Sequence, residues 1–179
     1  AVSFQLAPYN SKETVIIDPW TSNPNFPFYN AAYDINFDNA GNVLAYGSLT
    51  PLKLAKFDNT GALLWTYNLT GASYAYGDFA VDEATGISYI GEGKTGPTVV
   101  HKINTSGVDI AQSTGVMGEI WRMVFDRVAN QIVIAGGSGP QYAAVMDTAL
   151  NHFELPMGTQ DMVLLAIDNC GPDNCYMAN

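Results

Sequence analysis

A chain of 179 residues is long enough for one domain with a buried core, and 47% hydrophobic against 13% charged residues, with 17 glycines and 10 tyrosines, excludes a disordered segment and favours strands over helices. A formal charge of −10, from 17 acids against 7 bases, gives a surface that repels phosphate backbones and anionic headgroups, so no nucleic-acid partner is expected. No apolar run reaches the roughly 20 residues of a membrane helix, so no membrane span is expected.

The N-terminal AVSFQLAPYN has neither a basic start nor a long apolar middle and fits a mature chain, or a fragment whose leader has been removed. In residues 1–18, AVSFQLA and ETVIIDPW read as two outer strands joined through PYNSK. Residues 19–30 fall in DPWTSNPNFPFYN, where three prolines forbid regular structure and predict an extended linker. Its Trp20, Phe26 and Tyr29 are candidates for a small aromatic carbohydrate platform, against the alternative of packing at a junction.

Residues 31–72 hold two pairs of short apolar runs, FDNAGNVLAYG and then KLAKFDNTGALLWTY, each pair reversing at an Asx- and Gly-bearing turn. Residues 76–115 repeat the plan with VDEATGISYIG and VVHKINTSGVDIAQ, and residues 119–159 with FDRVANQIVIAG and AAVMDTALNHFEL. Residues 160–179 begin it once more. The turn residues Asp38, Asp82 and Asp126 are spaced by 44 and 44, and Asp168 follows after 42. Gly47, Gly91 and Gly136 close the second run of each copy nine or ten residues later.

Four strands in about 40 to 45 residues is the signature of a propeller blade. The expected fold is therefore an all-β β-propeller, about four blades of four antiparallel strands and part of a larger ring, with a small closed four-bladed ring as the alternative. A sandwich or solenoid has no reason to keep the Asp-to-Gly interval. The aspartates read as turn-makers whose carboxylates accept amide hydrogen bonds, with Gly41 and Gly86 supplying the left-handed residue. Asp-Asn-Ala-Gly-Asn lacks the alternating oxygens and distal glutamate of a calcium loop, so no metal is expected.

The segment ETVIIDPWTSNPNFPFYNAAYDINFDNAGNVLAYGSLTPLKLAKFDNTGALLWTYNL resembles the propeller repeats of large secreted surface proteins of gliding bacteria. The matching features are Asp34, Asp38, Gly41, Asn42, Tyr46, Gly47, Lys56, Asp58, Gly61 and Trp65. The likeness covers residues 14–136; in the third copy Ala129 and Leu150 stand where turn glycines are expected. It implies a blade, a secreted or cell-surface location, and export by the type 9 secretion system from a chain associated with gliding motility. It implies no activity.

No catalytic constellation emerges. His101 and His152 lie in non-equivalent strand positions and read as satisfied or solvent-facing residues. GGSGP at 136–140 and GEGKTGP at 91–97 have the glycine content of phosphate cradles but follow strands without a helix behind them, and the glycines of the latter are expected at the standard turn of the repeat. Trp65 and Trp121 are candidates for binding, against packing between sheets. Cys170 and Cys175 flank a Gly-Pro-Asp-Asn turn and are expected to form a disulfide, with free thiols as the alternative. Asn68 in NLT and Asn104 in NTS match the glycosylation sequon, although Asn104 has a turn role.

The expected function is a non-enzymatic extracellular propeller of a larger cell-surface adhesin or filament-forming protein, binding protein or glycan through its loops, without a cofactor. Its other partners would be the remaining blades, from the same or a neighbouring chain. The alternatives are a propeller enzyme, either a lyase or a quinone-dependent oxidoreductase, and a self-assembling structural subunit.

Overall fold

The computed structural model describes residues 22–26, 32–48, 51–69, 77–94, 97–113, 115, 118–137, 142–155, 166–167 and 177–178. Among these every regular element is a strand. Sheet 1 comprises β1 (Ala32–Phe37), β2 (Val43–Gly47), β3 (Leu52–Phe57) and β4 (Leu63–Leu69). Sheet 2 comprises β5 (Gly77–Asp82), β6 (Ile87–Glu92), β7 (Val100–Ile103) and β8 (Asp109–Gln112). Sheet 3 comprises β9 (Glu119–Asp126), β10 (Gln131–Gly137), β11 (Tyr142–Asp147) and β12 (His152–Leu155), and β13 (Ala166–Ile167) pairs with β14 (Met177–Ala178). Each of sheets 1 to 3 is an antiparallel meander whose strands pair in chain order.

The turns explain why the chain reverses where it does. After β3, β7 and β11, one side-chain oxygen of Asp58, Asn104 or Asp147 accepts hydrogen bonds from the amides two and four residues on, at 2.8–3.0 Å. Asp38 closes the β1–β2 turn in the same way. Asp82 and Asp126 make a longer turn, accepting from the amides two and three residues on. In that turn the left-handed residue is Gly86 in sheet 2 and Asn130 in sheet 3, so the position equivalent to the glycine is Asn130 and not Ala129. Asparagine reaches this conformation at low cost because its short amide can bond locally.

The sheets pack face to face in chain order. Leu44, Tyr46, Leu52, Leu54 and Leu69 of sheet 1 bury against Phe79, Val81, Ile90 and Ile103 of sheet 2. Sheet 2 then presents Ala80, Tyr89 and Val100 from its opposite face to Ile120, Met123, Phe125, Ile132 and Ile134 of sheet 3. Pleating sends alternate residues to opposite faces, which is why the near-continuous apolar runs of β5 and β6 occur in the sheet buried on both sides. The first strands of successive sheets lie side by side, β1 against β5 and β5 against β9. The described residues thus establish an all-β stack of three four-stranded sheets.

Gly91 corrects one expectation. It lies inside β6 and not in a turn, because the ideal Cβ at that position would stand 2.5 Å from Met123 Sδ and 2.6 Å from Ile120 Cγ2; its missing side chain lets sheet 3 approach.

Candidate functional site

Repetition makes the two joints between sheets directly comparable. At the first joint, Trp65 stands opposite Lys56 and Tyr67 opposite Leu54, both reaching from β4 toward sheet 2. The Trp65 ring lies on Gly107, where an added Cβ would come within 2.8 Å of Cδ2, and its Nε1 donates to Thr105 O at 2.8 Å. Tyr67 Oη donates to Asp109 Oδ2 at 3.2 Å. That carboxylate also meets His101 Nδ1 at 2.9 Å and accepts from Gln112 Nε2 at 2.9 Å. On the other side of the imidazole, His101 Nε2 stands 3.7 Å from Glu92 Oε1, and Glu92 Oε2 pairs with Lys94 Nζ at 2.6 Å.

His101 is only 6% exposed. Burial opposes its charge, but the hydrogen bond with Asp109 and the nearby charges of Glu92 and Asp109 hold its pKa above the ordinary value. Burial also pushes against ionisation of Glu92, yet the nearby His101 ring and bonds from Lys94 and the Val99 amide bring it down to about 2. Asp109 is lowered as well, its burial outweighed by His101, Gln112 and Tyr67. The Tyr67 hydroxyl is raised by burial and by the Asp109 charge. This arrangement favours the protonated form of an imidazole held between two carboxylates. It has no exposed nucleophile beside it among the described residues.

The second joint is closed by different groups. Opposite Lys102 stands Ala111 where sheet 1 has Trp65, and bonded to Val100 stands Ser113 where sheet 1 has Tyr67. Lys102 Nζ donates to Thr148 O at 2.6 Å, and the rings of Tyr89 and Phe125 stack at 6.0 Å. Leu150 takes the left-handed place that Gly107 fills in sheet 2. Along this joint runs an open groove of about 530 Å³ lined by Gln112, Ser113, Asp147, Ala149, Leu150, Asn151, His152 and Phe153.

On the first strands, Asp34, Asp78 and Arg122 stand four residues before Asp38, Asp82 and Asp126. Asp78 is 2% exposed and accepts from the Met123 amide at 2.7 Å, with Arg122 Nη1 4.0 Å away. Burial, together with the Asp34 charge, pushes Asp78 up to about 7, although the Met123 and Phe79 amides and Arg122 oppose it. Tyr46 Oη is buried near Gly77 without a hydrogen-bond partner among the described residues.

At the turn end, Asp38 Oδ2 and Lys56 Nζ form a buried ion pair at 2.8 Å with Gly86 lying over it. Burial opposes the Asp38 charge, while Asn42 and Lys56 hold its pKa below the ordinary value. The Asn39 amide donates to Glu83 O at 2.8 Å, and Arg127 reaches Glu83 at 3.7 Å. Between these turns is a cleft of about 260 Å³ lined by Asn39, Asp82, Glu83, Thr85, Phe125, Arg127 and Asn130, among others.

Of the sequence-derived candidates, Trp65 lies in the first joint. Trp121 lies over Gly137 with its Nε1 bonded to Glu119 at 2.9 Å. Phe26 is buried with Ala45, Ala55 and Phe57 on the face of sheet 1 away from sheet 2. These three aromatics are not brought together. Asn68 is exposed on β4, and the Asn104 side chain is engaged in its own turn. Trp20, Tyr29, Asp168, Cys170 and Cys175 lie outside the described residues. Sequence reasoning missed Glu92, Asp109 and Asp78 as partners, because their contacts cross strands and sheets; the available signal was the repeat register, which puts Asp34, Asp78 and Arg122 in one row. No protein-family model matches the chain, and no curated protein matches it.

Proposed function

We propose that this chain is a propeller segment of a secreted, cell-surface adhesin or filament-forming protein, acting without catalysis and binding glycans through its loops and turn ends. The supporting observation is where the chemistry is spent. The ionic groups at the first joint and at the turn ends tie sheets and turns together, while polar clefts open between the turns, as on a rigid scaffold that presents variable loops. The side-by-side first strands and the Asp38, Asp82 and Asp126 period support radial stacking into a ring. The resemblance to gliding-bacterium repeats supports a surface location and type 9 export. Screening the folded chain on a broad glycan array tests the reading. Saturable binding supports it, and a blank array together with binding to a surface protein would transfer the role to protein adhesion.

A second reading has one observation in its favour. Asp78, raised to about 7 beside Asp34 and Arg122, has the proton affinity of a general acid or base, which fits a lyase better than a quinone-dependent enzyme. If uronate-containing polysaccharides are cleaved by the wild-type chain and not by Asp78→Asn, the enzyme reading replaces the adhesin.

A further inference from the structure

Building on the glycan reading above, we propose that the groove at the second joint is the sugar subsite, taking a neutral, hydroxyl-rich oligosaccharide. The repeat register shows why a groove exists there. The positions that carry Trp65 and Tyr67 at the first joint carry Ala111 and Ser113 at the second, so two large rings are replaced by a methyl and a hydroxymethyl group. The resulting space, about 530 Å³, falls within the usual range of small-molecule sites, about 300–1,000 Å³.

The walls define the ligand chemistry. Asp147 is occupied by its own turn, accepting from the Ala149 and Asn151 amides and from Asn151 Nδ2, all at 2.9 Å. Gln112 Nε2 is committed to Asp109, and Ser113 Oγ to the Val100 amide. Gln112 therefore points to the first joint and lends the groove no side-chain group, while the Asn151 Oδ1 and the His152 ring, both in the lining, keep hydrogen-bonding capacity among the described residues. Ala149 and Leu150 add an apolar surface. Neutral donors and acceptors over an apolar floor suit alternating hydroxyl and C–H faces of a sugar. An anion is disfavoured, since the lining holds no lysine or arginine and the chain carries −10.

The test uses the 179-residue chain and a panel of neutral trisaccharides (mannose-, glucose- and N-acetylglucosamine-based) beside sulfated and uronate-containing ones, read by saturation-transfer NMR. Ala111→Trp restores at the second joint the ring present at the first and should weaken neutral-sugar binding tenfold or more. His152→Ala, which leaves the backbone ladder intact, should weaken it several-fold, and Leu64→Ala on the rim of sheet 1 should not change it. Binding that survives Ala111→Trp and His152→Ala unchanged overturns the groove while leaving the glycan reading in place. Preference for the acidic sugars overturns the proposed chemistry. Absence of binding to this panel and to the glycan array removes both.

Discussion

The two joints between sheets are built from one repeat and closed by opposite means. The first is sealed at its rim by an indole on a glycine and a phenol bonded to Asp109. The second is held by an amine on a carbonyl, a stacked Tyr89–Phe125 pair and a buried acid on the Met123 amide, and its rim stays open. A fixed register constrains the backbone, while the side chains at equivalent places are free to exchange sealing for access.

The largest way to break this comparison is at the two equivalent lysines. Lys56→Met leaves Asp38 buried without its partner and should cost about 3–5 kcal/mol in urea unfolding, whereas the double variant with Asp38→Asn should recover most of it. Lys102→Met strands no buried carboxylate, removing a charged donor from the Thr148 carbonyl and a cation from over the Tyr89 ring, at about 1.5–3 kcal/mol. Equal losses at the two lysines would contradict the distinction. Next, Gly107→Ala must both hold a side chain at φ 80° and displace Trp65; the expected loss is about 2–4 kcal/mol with a shift in tryptophan emission.

A smaller effect concerns pH. The raised His101 pKa means that the folded state holds the proton more tightly than the unfolded chain, so this contribution is complete below about 6.5 and is lost as pH climbs through the folded value. Asp78 has the same sign, since its proton is retained up to about 7 in the fold against 3.8 otherwise; its contribution is complete below 3.8 and is lost through about 7. Glu92 acts oppositely, stabilising above 4.5 and losing that effect toward about 2. Unfolding midpoints should therefore fall between pH 5 and 8, less steeply in His101→Gln for the first joint and in Asp78→Asn for the second. The smallest effect is that of Ala111→Trp on stability, expected within about 0.5 kcal/mol because the site is exposed; a large loss would mean that the second rim is already closed.

Strand identity was legible because apolar runs of four to seven residues between Asx and Gly turns have few other solutions, and the all-β class follows from that. The turns were readable for the same reason, being local: Asp58 and Asn104 bond amides within four residues. Long-range partners left no local mark. Nothing adjacent to Asp38 announces Lys56, and nothing in VVHKIN announces that Asp109 and Glu92 flank the imidazole. Gly91 looked like punctuation in GEGKTGP because a close approach from another sheet has the same one-letter signature as a turn.

The meander order of the strands also bears on how the chain reaches its fold. Every ladder in sheets 1 to 3 joins segments adjacent along the backbone, so a polypeptide delivered end-first through a narrow opening could complete each sheet before the following one arrived. Only face-to-face docking would wait for its neighbour. Assembly could then proceed vectorially, with little exposed chain at any moment to aggregate or be cleaved.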